Sequence, residues 1–438
     1  MQKKRIAFHT LGCKLNFSES STISRQFGKD DFDLVDFNRQ ADVYVIHTCS
    51  VTAAAERKCK AAIKQAVKRN PDASVAVIGC AVQANPEMFR RMQGVTWVIG
   101  NQEKFRLGEI VNAPAEGQSL IIPDETENSE VSTINRSNEF IPSWSANDRT
   151  RSFFKVQDGC DYFCTYCSIP LMRGRSRSDT IANTLKVAHE IADAGVMEIV
   201  LTGVNIGDFG KGNDEQFIDL LHELDKVEGY ERIRISSIEP ELLSDDIIRF
   251  VAGSNKILPH FHIPLQSGSD KILVAMKRKY LREVFTARVN AIKALMPGAC
   301  IAADVIVGFP GETDDDFDDT YRFIEGLDIS YLHVFTYSER PGTKANAMAN
   351  AVNDSTRKKR SQQLHKLSEE KKNRFYLSQQ GLIFNVLFES DEADGNMFGF
   401  TENYIKVMTA YNPQFVNKII QVRLLGKEGE CCRVELVG

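Results

Sequence analysis

The stretch Phe153-Phe154-Lys155-Val156-Gln157-Asp158-Gly159-Cys160-Asp161-Tyr162-Phe163-Cys164-Thr165-Tyr166-Cys167 decides how the chain is read. It opens as an apolar, aromatic β-strand, breaks at a glycine, and then places three cysteines at spacings of four and three residues. Three thiolates so close on one loop can hold three irons of a [4Fe–4S] cluster and leave the fourth open to a substrate. Read from the residues alone, a zinc site and incidental buried thiols stay open as alternatives. Zinc would need a fourth ligand, with His47 or His260 recruited from afar.

Working outward, residues 149–350 alternate strand-like and helix-like runs, with candidate strands at 153–157, 198–202, 233–237, 260–264, 302–307 and 331–336. That is more than a short Rossmann unit needs and predicts a partial or complete β/α barrel. Upstream, strand-like runs at 5–11, 43–48, 74–78 and 95–99 enclose helical stretches, clearest in the Ala- and Lys-rich run 52–69. This alternation predicts a doubly wound parallel sheet. Residues 113–148 are rich in Ser, Asn, Glu and Pro and read as a surface connector, with room for a β-turn segment at 120–122. Residues 355–376 read as a basic helix, where Arg357, Lys358, Lys359, Arg360, Lys366, Lys371, Lys372 and Arg374 face only Glu369 and Glu370. Beyond Gly381, short alternating runs at 382–388, 404–408, 419–425 and 433–437 predict a small β-barrel. The expected division is an α/β domain at 1–112, a connector at 113–148, an α/β barrel domain at 149–375 and a β-module at 376–438.

Composition narrows the function classes. The chain has 438 residues, 42% hydrophobic and 26% charged, which excludes a disordered, collagenous or disulfide-scaffold protein. A net charge of −5 excludes a uniformly basic nucleic-acid binder but not a local basic patch. No apolar run approaches the ~20 residues of a membrane helix. Residues 1–8 read as a first strand rather than a signal peptide. A cytoplasmic location is expected, where the 10 cysteines stay reduced and serve as thiols or ligands.

Three of those cysteines, Cys13, Cys49 and Cys80, each lie just past an expected strand of the first domain. The carboxyl ends of parallel strands share one edge, and that edge binds ligands. Strand-end cysteines also arise by chance, so this set alone is not specific.

The Cys160-x3-Cys164-x2-Cys167 spacing, with aromatic Tyr166 before the last cysteine, resembles the radical S-adenosylmethionine (SAM) superfamily. Together with Gly12-Cys13-Lys14-Leu15-Asn16, His47-Thr48-Cys49-Ser50-Val51-Thr52, Gly79-Cys80 and Ile169-Pro170-x-x-Arg173-Gly174-x-x-Arg177-Ser178, it resembles the methylthiotransferases within that superfamily. Gly399-Phe400-Thr401-Glu402-Asn403-Tyr404-Ile405-Lys406-Val407 resembles the TRAM module, a small β-barrel linked to RNA binding. The resemblance spans nearly the whole chain. It implies a partial (β/α)6 barrel and two [4Fe–4S] clusters, one on Cys160, Cys164 and Cys167 and an auxiliary one on Cys13, Cys49 and Cys80. It also implies two SAM molecules per turnover, one methylating the sulfur that is delivered and one yielding the 5′-deoxyadenosyl radical. Cofactor contacts are expected at Tyr166 and at the strand ends, from Thr202, Gly203, Asn205, Ser237, Glu239, Gln266 and Ile306; ordinary turn chemistry is the alternative for each.

The known substrates of such enzymes are two modified adenosines beside the tRNA anticodon and an aspartate of a ribosomal protein. The pairing Gly-Cys-Lys-Leu-Asn and the run Val51-Thr52-Ala53-Ala54-Ala55-Glu56-Arg57-Lys58 resemble the branch acting on N6-threonylcarbamoyladenosine. The expected partners are therefore a tRNA anticodon stem-loop, an electron-donor protein and a sulfur donor for the auxiliary cluster, with no membrane; the oligomeric state is open. Arg173, Arg175, Arg177, Lys277, Arg278 and Lys279 are expected to contact RNA phosphate, and Phe398 or Tyr404 to stack on bases or to be core. The β-module is itself acidic, so charge does not argue for its RNA affinity. Cys59, Cys300, Cys431 and Cys432 are expected to be packing residues. Two competing readings are a protein-modifying methylthiotransferase and a tRNA-binding protein whose first-domain cysteines are structural.

Overall fold

A computed structural model describes residues 3–28, 31–50, 53–112, 139–146 and 150–437. Most of the connector, including the turn expected at 120–122, lies outside the described residues, as do Val51 and Thr52. The chain divides into two units. The first comprises Met1–Asp148, Phe153–Asp161 and Ser168–Arg177; the second comprises Arg149–Ser152, Tyr162–Cys167 and Ser178–Gly438.

In the first unit, β1 (Lys4–Thr10), β2 (Phe32–Val35), β3 (Val43–Thr48), β4 (Ser74–Gly79) and β5 (Val95–Ile99) form one sheet in the order β2-β1-β3-β4-β5. Every pairing is parallel. Strands buried on both faces read as continuous apolar runs, and β3 is buried at every position. Tyr44, Ile46, Val75 and Val77 pack on one face with Cys59, Ile63 and Ala66 of the helix Ala53–Arg69. Val43, Val45, Ala76 and Ile78 pack on the other with Ile23 and Leu107. The sheet is therefore doubly wound. The edge strand β2 was not expected; its four residues, Phe-Asp-Leu-Val, are too short and too mixed in polarity to signal a strand. Short strands β6 (Ser143–Trp144) and β7 (Arg151–Lys155) pair antiparallel, Ser143 opposite Lys155 and Trp144 opposite Phe154. Two-residue strands β8 (Gln157–Asp158) and β9 (Arg177–Ser178) follow.

In the second unit, β10 (Glu198–Thr202) pairs parallel with β11 (Arg232–Ile235). β12 (His260–Gln266), β13 (Cys300–Val307) and β14 (Tyr331–Thr336) form a parallel trio. A parallel bridge from Ser237 to His262 links the two groups. Amphipathic helices Ile181–Asp193, Phe217–Lys226, Asp245–Gly253, Arg282–Leu295 and Asp314–Gly326 alternate with the strands. This is the expected partial β/α barrel. Its strands then give way to β15 (Ile383–Ala393), β16 (Asn396–Thr401), β17 (Lys406–Ala410), β18 (Ile419–Glu428) and β19 (Cys431–Leu436), closed as β15-β16-β17-β19-β18 around Val386, Phe388, Met397, Val407, Val422 and Leu424. Buried Arg232 and Arg234 reach from β11 to carbonyls of that module: Arg232 to Asn385 O at 2.6 Å and Arg234 to Glu402 O at 3.2 Å.

The helix Asp354–Ser378 is less of a basic surface than its composition suggests. Arg357 and Arg360 are buried against Glu339 and Glu312, and Lys371 donates to the carbonyls of Glu325 and Leu327. Lys358, Lys359, Lys366 and Arg374 remain exposed.

Candidate active site

The order β2-β1-β3-β4-β5 reverses direction between β1 and β3, and a doubly wound sheet binds its ligand at that reversal, beyond the strands' carboxyl ends. Cys13 and Cys49 flank it. β1 ends at Thr10 and Cys13 caps the helix Lys14–Ser24. Cys49 follows β3, and Cys80 opens the helix after β4. Gly12 shows how closely the first two loops approach. Its φ is +104°, and a Cβ there would lie 2.7 Å from Cys49 Cβ and 2.9 Å from Cys49 Sγ. Asn16 ties the same two loops by donating to Leu11 O at 2.7 Å and Thr48 O at 3.1 Å. The hydroxyl of Ser50, beside Cys49, is buried with no hydrogen-bond partner among the described residues.

Behind these cysteines lies a group of buried charges that composition did not reveal. Glu19 is 0% exposed and is met by Lys104 (1%) at 2.6 Å, Lys155 (1%) at 3.1 Å and Arg173 (2%) at 3.0 Å. Asp158 accepts from Arg173 at 3.1 Å and from Arg177 at 3.2 Å. Burial opposes ionisation of both carboxyls, but the facing cations hold Glu19 and Asp158 well below the usual carboxylate range. His47, donor or acceptor to Ser20 at 2.8 Å, is pushed far down by burial and by Lys104, so it is neutral. Arg173 is thus held among carboxylates and does not face phosphate as expected. Arg177 is also engaged, donating to the Arg173 and Arg175 carbonyls as well as to Asp158.

The Cys160-x3-Cys164-x2-Cys167 loop spans the two units, with Cys160 in the first and the other two in the second. In the first unit, the Cys160 amide donates to Gly174 O at 3.1 Å. Gly159, at φ +70°, leaves no room for a side chain: a Cβ would lie 1.9 Å from Arg175 O. In the second unit, Cys167 N donates to Cys164 O at 3.0 Å, forming a tight turn. Thr165 anchors that turn on both sides, donating to Met276 O at 3.1 Å and Ala275 O at 2.9 Å and accepting from Ala345 N at 2.8 Å.

Arg278, expected at the surface, is buried here. It donates to Cys164 Sγ at 3.2 Å and Tyr166 Oη at 3.4 Å and pairs with Glu239. Burial pushes the Cys164 thiol up while Arg278 draws it down, and burial dominates. Burial likewise lifts Glu239 to about 7 against the pull of Arg278. Nothing in the sequence separated Arg278 from exposed Lys277 and Lys279 on either side of it.

The remaining predicted positions gather at the strand ends of the second unit. Thr202 closes β10, and its buried hydroxyl has no partner among the described residues. Gly203 and Asn205 follow it. Ser237 bridges to His262, and Glu239 lies two residues on. Gln266 ends β12 at φ +65°, a strained conformation for a side-chain-bearing residue. Ile306 and Tyr166 pack into one cluster with Phe309 and Met276. Tyr404 is not an open stacking platform: Phe400 stacks on it at 4.8 Å, His260 at 4.4 Å, and Arg234 lies 4.7 Å over its ring. Phe398 is half-buried beneath Lys406.

One group was missed entirely. His262 Nε2 lies 2.7 Å from Asp304 Oδ1, and His333 joins them, with ligand atoms of all three within 4.8 Å of one another. They sit on β12, β13 and β14: Asp304 is opposite His333, and His262 is opposite Ala302, two residues before Asp304. His333 is exposed on β14, and its ring lies 4.9 Å from that of His262. Polar residues interrupting apolar strands were the available signal.

All cysteines named here are free thiols. Two all-thiol sets, with unpartnered hydroxyls at Ser50 and Thr202, suit iron–sulfur clusters and a polar small ligand better than zinc.

Residues 154–324 match the radical SAM superfamily, and residues 5–100 match an uncharacterised protein family, UPF0004. The chain is 38% identical to the threonylcarbamoyladenosine tRNA methylthiotransferase MtaB of Bacillus subtilis (strain 168), covering 98% of this chain and 96% of that protein. It is 32% identical to the tRNA-2-methylthio-N(6)-dimethylallyladenosine synthase of Alkaliphilus oremlandii, covering 100% and 93%. In fold it is similar to the radical SAM methyltransferase TsrM of Kitasatospora setae, with a TM-score of 0.57 at 12% identity, over 89% of this chain and 79% of that one. The chain belongs to the radical SAM tRNA methylthiotransferases.

Proposed function

We propose that this enzyme adds a methylthio group to C2 of N6-threonylcarbamoyladenosine at position 37 of tRNA, using two SAM molecules per turnover. The observation that carries this reading is the pair of all-cysteine sets, one at three strand ends of the first unit's parallel sheet and one within eight residues of a single loop. Cys160, Cys164 and Cys167 would hold one [4Fe–4S] cluster, and Cys13, Cys49 and Cys80 a second. When bound, the first supplies the electron that cleaves SAM to a carbon-centred radical, and the second supplies the sulfur that is transferred.

The protein's own residues position and enclose. Arg278 places a positive charge and an N–H donor on Cys164 Sγ. Tyr166 and Ile306 form an apolar wall suited to an adenine ring, and the Thr202 hydroxyl and Glu239 carboxyl offer polar contacts for the methionine end. His262, Asp304 and His333 favour the threonylcarbamoyl substrate. Its urea, hydroxyl and carboxylate can hydrogen-bond with two imidazoles and a carboxylate, and an isopentenyl group offers these side chains no polar partner. Phe335, two residues beyond His333 and so on the same face, is 45% exposed and available to stack on a base. Exposed Arg175, Lys277 and Lys279 are the remaining phosphate contacts of those expected. An electron-donor protein and a sulfur donor would complete the cycle, and action on tRNA supports a cytoplasmic location. No described helix is long and apolar enough to cross a membrane.

The test is an anaerobic assay with reconstituted protein, SAM and reductant. It is offered separately tRNA carrying threonylcarbamoyladenosine, tRNA carrying isopentenyladenosine, and the ribosomal protein, with methylthio adducts read by mass spectrometry. An adduct on the first alone is expected; an adduct only on another keeps the chemistry and overturns the substrate.

A further inference from the structure

Buried ions are tolerated when paired, and an unbalanced one is costly. Behind Cys13 and Cys80, the fully buried charges do not balance among the described residues: Lys104, Lys155 and Arg173 face Glu19 and Asp158 alone. The excess is positive, and the side chains between it and the sheet edge are two asparagines. Arg173 donates to Asn16 Oδ1 at 2.8 Å, and Asn16 Oδ1 lies 3.8 Å from Cys13 Sγ. Lys104 donates to Asn101 Oδ1 at 3.0 Å, and Asn101 Nδ2 donates to Cys80 Sγ at 3.5 Å. Both cations also grip Glu19, at 2.6 Å for Lys104 and 3.0 Å for Arg173. Two arms thus run from one buried carboxylate, through a cation and an amide, to two of the three strand-end thiols. At Asn101 the cation sits on the amide oxygen and the N–H meets sulfur, so that N–H is the more strongly polarised; Asn16 turns its oxygen to Cys13 and fixes the Cys13 and Cys49 loops through its N–H bonds to the Leu11 and Thr48 carbonyls.

We infer that Asn16 and Asn101 are positioning residues for Cys13 and Cys80, and that with Lys104, Arg173 and Glu19 they form a positively charged seat that sets the potential of an anionic iron–sulfur group. This rests on the proposal that the first cysteine set holds a cluster. Cluster potential follows net charge, hydrogen bonds to the sulfurs and exposure, and outer-shell partners orient the ligands. A cation removed from the seat makes the added electron less welcome; an anion removed makes it more so.

The experiment uses the full chain with Cys160, Cys164 and Cys167 changed to Ala, reconstituted anaerobically so that any cluster belongs to the first set. Iron content and reduction midpoint are read for this parent and for added Lys104→Met, Glu19→Gln and Asn101→Leu. The expected result is a lower midpoint for Lys104→Met and Asn101→Leu and a higher one for Glu19→Gln. A merely structural role would lower iron content in all three and leave the midpoint of the retained cluster unmoved. If Lys104→Met does not fold, Lys104→Arg keeps the charge and is expected to match the parent while Asn101→Leu falls below it. Midpoints that do not move, or that move in one direction for both Lys104→Met and Glu19→Gln, overturn the seat. A parent that binds no iron instead overturns the reading that places a cluster there.

Discussion

Replacing Gly159 by Ala should cost the enzyme the cluster on Cys160, Cys164 and Cys167 while leaving most of the fold intact. Two terms add. An L-residue held at φ +70° costs about 1–2 kcal/mol. A Cβ placed 1.9 Å from Arg175 O, a backbone atom that no rotamer change can move, adds an overpacking term of about 1–3 kcal/mol. A penalty of about 2–5 kcal/mol is enough to make a displaced loop the major form, since ~1–2 kcal/mol is already a factor of about 5–30 in population. Relief requires the Cys160 loop to move away from the Gly174–Arg175 carbonyls, and the Cys160 amide bond to Gly174 O goes with it. The assay is anaerobic iron and sulfide content in a background with Cys13, Cys49 and Cys80 changed to Ala, with 5′-deoxyadenosine formation alongside. The parent should hold about four irons and Gly159→Ala fewer than half as many, with SAM cleavage falling in proportion. Gly195→Ala is the control. Gly195 has φ +73° but nothing within 4 Å of an added Cβ, so it carries the backbone term without the clash. Full iron and parental SAM cleavage in Gly159→Ala would refute the reasoning.

Other consequences follow from the same geometry. His333→Ala should raise KM for threonylcarbamoyladenosine tRNA about tenfold or more, the loss of ~1.4 kcal/mol of polar contact, with SAM-only 5′-deoxyadenosine release unchanged. Lys277→Ala with Lys279→Ala should weaken tRNA binding and reduce the slope of log K against log salt by about one to two, whereas Arg278→Met should abolish SAM cleavage and leave that slope unchanged. Asp316, bonded to Thr313, Ser269 and Lys271, is lowered to about 2. Its contribution is present above the unfolded value near 3.8 and is lost as pH falls from there through about 2. Asp316→Asn should cost about 1–2 kcal/mol at neutral pH in thermal unfolding, with the difference vanishing toward pH 2.

The elements that carry strong periodicity were legible. β3, β5, β10 and β14 lie where apolar β-branched runs placed them, and the β-module after Gly381 closes as a barrel. The cysteines stood out because three thiols within eight residues, and three more at strand ends, are denser than packing in a reduced chain calls for. What the sequence hid was which charges turn inward. Glu19 meets Lys104 and Arg173 across 85 and 154 residues, a pairing that no local pattern encodes. Arg173 lies two residues from exposed Arg175, and Arg278 lies between exposed Lys277 and Lys279, so only tertiary burial separates the two from a phosphate-binding face. The basic helix misled for the same reason: Arg357, Arg360 and Lys371 lie on the stripe with Leu364, Leu367 and Phe375 that faces the core. His262, Asp304 and His333 come together through strand register, which depends on pairing rather than on any one strand's composition.

The central claim is a division of labour between the two cysteine sets. It is tested most directly by incubating two variants anaerobically with SAM, reductant and threonylcarbamoyladenosine tRNA, and measuring 5′-deoxyadenosine and methylthio-tRNA in the same tube. With Cys13, Cys49 and Cys80 changed to Ala, 5′-deoxyadenosine should form and no methylthio-tRNA; with Cys160, Cys164 and Cys167 changed to Ala, neither should form. Methylthio-tRNA from the first variant, or 5′-deoxyadenosine from the second, would contradict the account.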